Sequence, residues 1–178
     1  MTSLNGNFRL KDLLILNFIN LTIRDKEMVR SWRNCNAIRK YMCQNRLISR
    51  NEHLAFIRGL KKDKHNFYWA VKNACGDYIG IISLNKVDTA NKNAFFGIYV
   101  NPHSPLLNKG AALMRCLRYL SFTKAELHTL NLEVLEDNER AIRFYKKCGF
   151  RVQGRLREFI FRKGRWKDIL IMGIKNRK

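Results

Sequence analysis

Apolar positions along the chain follow two periods. At 49–62 they recur with helical spacing. Leu54, Ile57 and Leu60 form one stripe with Phe56 beside it, and Ser49-Arg50-Asn51-Glu52 opens the segment as a capping box. The same period over 26–33 buries Met28, Val29 and Trp32, with Asp25 as the cap, and a second helical piece follows at 36–42. Leu113, Met114, Leu117 and Leu120 mark a helix over 110–127. Between these segments, short runs rich in β-branched and aromatic residues predict strands within 13–23 and at 67–72, 78–86 and 93–101. The turn at 73–77 makes a hairpin of two of them, and Pro102 ends the last. Residues 1–12 carry no period and predict a loose start.

The densest pattern lies between His128 and Arg151. Leu130, Leu132 and Val134 alternate with Asn131 and Glu133, a strand at 130–135. An acidic break at 136–138 leads into a short helix with Ala141, Phe144 and Tyr145 on one stripe. Gly149 stops it, Phe150 opens another strand, and strands at 155–162 and 166–174 flank a Lys163-Gly164 turn. The order predicts one α+β domain over 1–178, with a mixed central sheet and helices on both faces. The strand–helix–strand unit at 94–135 reads as a right-handed parallel crossover. It puts the helix start near Gly110 at the carboxyl end of the sheet, where ligands of open sheets bind.

Composition narrows the ligand. The formal charge is +21, and a positive field steers anions such as nucleic acid, coenzyme A or nucleotide-sugars. No stretch matches a nucleic-acid-binding motif, so no specific nucleic-acid partner is expected. Cys35, Cys43, Cys75, Cys116 and Cys148 are odd in number and lack metal or disulfide spacing. They read as reduced, mostly packed thiols of a cytoplasmic protein, and no metal is implied. The apolar run 13–21 is far shorter than the roughly 20 residues of a membrane span.

Two loops carry candidate chemistry. A helix start at Asn108-Lys109-Gly110-Ala111-Ala112 offers orphan N–H groups, close backbone approach and a cation, which suits a pyrophosphate or is an ordinary loop-to-helix junction. Tyr145 carries a phenol able to protonate a leaving thiolate, or is the packed neighbour of Phe144.

The motif N138-x-x-A141-x-x-F144-Y145-x-x-x-G149-F150 resembles the C-terminal motif of the GNAT superfamily of acetyl-CoA-dependent N-acetyltransferases. Leu107 to Ala112 is similar to that superfamily's pyrophosphate loop, with Leu107 replacing the usual Gln or Arg. The resemblance implies a GNAT fold in which two parallel strands, at 95–100 and 130–135, splay apart. Pantetheine then pairs with the backbone of Ile98, Tyr99 and Val100, and Asn108, Lys109, Gly110, Ala111 and Ala112 hold the pyrophosphate. Asn138, beside Ala141, touches pantetheine or caps its helix, and Tyr145 sits near the sulfur. The base is Glu133, or a water held by Ser83; a partly desolvated carboxylate suits that task, and the plainer alternative is a Glu133 that pairs with a cation or only positions substrate.

A finer likeness spans most of the chain. Trp32-Arg33-Asn34 before Tyr41-Met42, His53-Leu54-x-Phe56-Ile57, Gly80-Ile81-Ile82-Ser83-x-x-Lys86 and Phe96-Gly97-Ile98-Tyr99 look like the pseudaminic acid biosynthesis N-acetyltransferases. That family acetylates the 4-amino group of UDP-4-amino-4,6-dideoxy-N-acetyl-β-L-altrosamine for flagellin glycosylation. It implies Arg33, His53 and Lys86 on uridine and diphosphate, and Met42, Phe56 and Phe95 around the 6-deoxy methyl group. Asn85 and Tyr99 would bond nucleotide or sugar, with Glu133 at the amine. The plainer alternatives are a helix cap for Arg33, a surface position for His53 and core for Phe95. Trp32-Arg33-Asn34 and Leu132-Glu133-Val134 are also similar to ribosomal-protein alanine acetyltransferases, and a non-catalytic nucleic-acid binder on a GNAT fold is the other alternative. An exposed sheet edge suits a homodimer by strand addition.

Overall fold

The computed structural model describes residues 4–42 and 44–176. Its strands are β1 (Phe8–Leu10), β2 (Leu13–Asn17), β3 (Phe67–Lys72), β4 (Tyr78–Asp88), β5 (Asn93–Val100), β6 (Thr129–Leu135), β7 (Arg151–Arg162) and β8 (Arg165–Lys175). Its α-helices are α1 (Ile23–Asn34), α2 (Asn36–Arg39), α3 (Arg50–Gly59), α4 (Lys109–Arg118) and α5 (Glu139–Lys147). All the strands join one sheet in the order β1-β2-β3-β4-β5-β6-β8-β7.

Strand alternation divides the apolar residues between two layers. Trp69, Ile82, Leu84, Leu130 and Leu132 pack with Leu113 and Leu117 of α4 and with Tyr145 of α5. Ala70 and Ile81 point the other way, onto Val29 and Trp32 of α1, Ile38 of α2 and Ile57 of α3. Helices therefore cover both faces of a mixed sheet, as the element order predicts.

The wedge in the sheet arises from register. β5 and β6 run parallel, but they pair only at Asn93–Thr129, Ala94–Leu130 and Phe95–Asn131. β4 keeps pairing with β5 out to Val100, and β8 keeps pairing with β6 out to Leu135. Each strand of the wedge is thus held from its outer side. The backbone of Phe96 to Val100 faces no strand on the β6 side.

Several boundaries differ from the sequence reading. Residues 8–10 form β1, antiparallel to β2 through Phe8–Ile15 and Leu10–Leu13; three residues are too few to show a period. β2 ends at Asn17, and a 3-10 turn at Phe18–Asn20 buries Phe18. Thr22, not Asp25, caps α1. Its Oγ1 accepts from the Asp25 N–H at 3.1 Å and donates to the Asp25 carboxylate at 2.8 Å. α2 stops at Arg39, short of Met42. The Ser49–Glu52 capping box forms with both of its bonds.

The helix expected over 110–127 is regular only to Arg118. It then widens into a π-helical turn at Tyr119–Lys124, where the Ala125 N–H reaches the Leu120 carbonyl five residues back. β7 runs unbroken from Arg151, with register shifts near Val152 and Leu156 that bend it. Cys116 is buried, Cys35 and Cys148 are half-buried and Cys75 is exposed, all as free thiols. Cys43 lies outside the described residues.

Candidate active site

The site is assembled from the wedge and the helix ends beside it. Asn108 precedes α4 in the left-handed region, at φ 55°. Its carbonyl takes the N–H groups of Ala111 and Ala112, at 3.0 and 3.2 Å. Those two donors are therefore engaged, contrary to the sequence reading, whereas helix geometry leaves the N–H groups of Lys109 and Gly110 without an intrahelical acceptor. The Lys109 ammonium is turned back into its own loop, donating to the carbonyls of Asn101, at 3.1 Å, and Ser104. It braces the loop rather than projecting as a separate cation. Leu107 is 88% exposed, so the residue in the place of Gln or Arg adds no polar contact.

α5 lies against the start of α4. The Asn138 side chain accepts from the Ala141 N–H at 3.3 Å and caps α5, which is one of the two roles open to it from sequence. Ala141 and Phe144 are half-buried against the core. Tyr145 is buried, its ring edge-on to Phe96 at 5.8 Å and to Phe150 at 6.0 Å. Burial pushes its phenol above the usual tyrosine range. Cys148 is half-buried and its thiol is likewise pushed up by burial, the reverse of an activated thiolate.

The opposite face of the wedge collects a second set. Register aligns Ser83 with Gly97, Asn85 with Phe95, and Phe95 with Asn131. The buried Ser83 hydroxyl accepts from the Gly97 N–H at 3.1 Å and from Asn85 Nδ2 at 3.0 Å. Asn85 Oδ1 is buried with no partner among the described residues. Lys86, at φ 51° in a bulge, holds its ammonium 5.1 Å from the Phe95 ring centre and 3.7 Å from the Glu133 carboxylate. Tyr99 and Met42 pack against the α1–α3 side of the core, and burial pushes the Tyr99 phenol up. Phe56 is 42% exposed, its ring edge-on to Tyr68 at 5.1 Å.

Two residues expected on the acceptor's anionic groups lie on α1 and α3. Arg33 Nη2 donates to the Gln44 carbonyl at 2.7 Å, tying α1 to the loop after α2. His53 is buried beside Lys26, Glu27 and Arg30 of α1, and desolvation lowers its pKa. His53 is not at a surface position: it is part of the α1–α3 seam, and its Nε2 is buried with no hydrogen-bond partner among the described residues.

A family model described as an acetyltransferase (GNAT) domain matches residues 20–171. The chain belongs to the GNAT acetyltransferase family. It is an acetyl-CoA-dependent N-acetyltransferase. The acetyltransferase PseH of Campylobacter jejuni subsp. jejuni (serotype O:23/36, strain 81-176) is 29% identical over 143 residues, which is 80% of this chain and 87% of that one. The spermidine N(1)-acetyltransferase of Vibrio cholerae (serotype O1, El Tor Inaba) is 34% identical over 109 residues, covering 60% of this chain and 61% of its own. A solved spermidine N-acetyltransferase from Vibrio cholerae, in complex with CoA and spermine, superposes with a TM-score of 0.84 at 25% identity, over 93% of this chain and 96% of that one.

The GNAT fold of this enzyme also builds a feature that local sequence patterns miss. A cleft of about 570 Å³ opens between α2, the end of β6 and the tip of the β7–β8 hairpin. Its walls hold Lys40, Arg162, Lys163, Arg165 and Lys167 against a single carboxylate, Asp137. Lys167 meets Asp137 at 2.8 Å. The sequence signal was Arg162-Lys163-Gly164-Arg165, which reads locally only as a turn. Among the described residues no three His, Cys, Asp or Glu side chains gather as metal ligands, and no helix is long and apolar enough to cross a membrane.

Proposed function

We propose that this acetyltransferase moves the acetyl group of acetyl-CoA onto the 4-amino group of a UDP-linked amino-sugar, UDP-4-amino-4,6-dideoxy-N-acetyl-β-L-altrosamine. The product would feed cytoplasmic pseudaminic acid synthesis for flagellin glycosylation. The observation that carries the reading is the charge of the acceptor side, where five cations face one carboxylate in the cleft beside the wedge. Such a field draws a nucleotide diphosphate and repels a polyamine. The relation to PseH over four-fifths of the chain supports the same choice. The likeness to a spermidine enzyme supports the fold and the thioester side, and a polycationic acceptor is the second reading.

In this scheme pantetheine pairs with the open β5 backbone at Ile98 to Val100, and the N–H groups of Lys109 and Gly110 meet the pyrophosphate. A β5 N–H lies where the oxyanion develops. The neutral amine attacks the thioester carbon, the carbon–sulfur bond breaks, and Tyr145 gives its proton to the sulfur. A phenol is protonated at neutral pH, and burial raises its pKa further. Glu133 takes the amine proton directly or through a water on Ser83. The half-buried, un-ionised Cys148 favours direct transfer in a ternary complex over an acetyl-cysteine.

The test is a coenzyme A release assay with a panel of acceptors. The panel holds the UDP-4-amino altrosamine, its 4-epimer, spermidine, an aminoglycoside and an alanine-starting ribosomal peptide. Turnover with the altrosamine alone is expected. Turnover with spermidine or the peptide alone would overturn the acceptor. For the base, Glu133→Gln is expected to lower kcat far more than it changes either KM, and a wild-type kcat would remove that role.

A further inference from the structure

The β7–β8 hairpin turns through two residues. Lys163 at φ 50° and Gly164 at φ 71° both occupy the left-handed region, as a type I′ turn requires. That turn sets Arg162 and Arg165 directly opposite each other in register. Like charges so placed repel and cost stability. One of the two is partly offset. The Arg162 guanidinium donates to the Lys40 carbonyl at 2.5 Å and to the Met42 carbonyl, which ties the hairpin tip to the loop after α2. Arg165, Lys163 and Lys40 meet no carboxylate among the described residues. The Lys40 ammonium lies 4.9 Å from the Tyr41 ring centre, at the same mouth.

This arrangement is poor for stability alone and good for an anion. Three unmatched cations converge on a cleft of about 570 Å³, large enough for a diphosphate with part of its nucleoside. Two come from a rigid two-residue turn and the third from the loop that Arg162 fastens to it. Leu135 and Asp137 line the same cleft, so it opens at the free end of β6, beside the wedge. We infer that Lys40, Lys163 and Arg165 form the seat for the diphosphate of the nucleotide-linked acceptor, with Arg162 as the strut that holds the seat together. This rests on the nucleotide-sugar reading above and deepens it.

The seat is tested by titrating UDP into the full-length protein and by measuring KM for both substrates. Lys163→Asn with Arg165→Gln removes two charges and keeps a residue at 163 that accepts positive φ, so the turn survives. Lys40→Gln removes the third charge from the other wall and leaves the hairpin untouched. Each variant is expected to weaken UDP binding and raise the acceptor KM about tenfold, the scale of a charge-assisted contact. The acetyl-CoA KM is expected to stay at the wild-type value. If UDP binds the variants as it binds the wild type, the seat is wrong, and the nucleotide-sugar reading loses the cleft and rests on the relation to PseH. If the acetyl-CoA KM rises instead, the cleft serves coenzyme A phosphates and the seat is again wrong. A wild-type protein that binds acetyl-CoA but no UDP would sink the nucleotide-sugar reading itself.

Discussion

Gly110 lies beneath the ring of Phe144. A Cβ at Gly110 would stand 3.2 Å from Phe144 Cε2 and 3.3 Å from Cζ, closer than such atoms ordinarily rest. The start of α4 and the helix that carries Tyr145 therefore meet at a position with no side chain. Gly110→Ala brings two opposed effects on stability. Alanine favours the helix by about 1 kcal/mol over glycine, and the overpacked ring costs about 1–3 kcal/mol. The melting temperature is expected to change little, while displacement of α5 raises the acetyl-CoA KM several-fold. A wild-type KM with an unchanged melting temperature would show that the ring yields without moving α5.

Tyr145 separates packing from chemistry cleanly, because its ring contacts survive removal of the hydroxyl. Phe96, Phe144 and Phe150 surround the ring at centroid distances of 5.3 to 6.0 Å among the four, so Tyr145→Phe keeps the aromatic cluster. Loss of a proton donor typically lowers turnover by about 10²-fold or more. The expected result is a fall in kcat of about 10²-fold with little change in acetyl-CoA KM or melting temperature. An unchanged kcat would remove the acid role. The sign of the pH effect follows from burial. A phenol raised above its ordinary value of about 10 stays protonated as pH rises through that value, so Tyr145 contributes no loss of activity below about pH 10.

His53 makes stability depend on acid. The folded protein holds the imidazole buried and neutral, below its ordinary affinity for protons, and the unfolded chain takes up a proton below about pH 6.5. More protons bind to the unfolded state there, so stability falls as pH drops through about 6.5 toward the lower folded value. His53→Gln removes that linkage whatever its own packing cost. Urea midpoints at about pH 7.5 and about pH 5.5 are expected to differ more in the wild type than in the variant. Equal differences would assign the acid sensitivity to other groups.

Local grammar made much of the fold legible. The Ser49–Glu52 capping box formed as read, and β3 has the predicted bounds of Phe67–Lys72. The alternation of Leu130, Leu132 and Val134 buries those side chains and leaves Glu133 exposed. Misreadings arose where two local signals competed or where long-range geometry decided. Thr22 and Asp25 both suit a cap, and the Thr22 hydroxyl takes the Asp25 N–H, so α1 starts at Ile23. Lys109 reads as a cation for a ligand until its loop folds back and offers two carbonyls. His53, at the fourth helical position of α3, shares the helical period of Ile57 and Leu60, but its polar type hid that mark until the packing of α1 across it made it core. The cationic cleft joins residues 122 positions apart, beyond the reach of any local pattern.

Arg162 makes that long-range joint, and its substitution distinguishes a strut from a simple charge. One guanidinium serves the carbonyls of both Lys40 and Met42, a geometry that its planar fork provides and an ammonium does not. Arg162→Lys keeps the charge in the cleft but loses the fork, and Arg162→Ala loses both. If the fork matters, the two variants loosen the loop alike. Amide exchange at residues 40–42 is then expected to accelerate in both, and the acceptor KM to rise in both, with the acetyl-CoA KM unaffected. If charge alone matters, Arg162→Lys will match the wild type in exchange and in KM, and only Arg162→Ala will depart. The first pattern makes the hairpin a brace for the acceptor loop; the second leaves Arg162 as one more cation on the cleft wall.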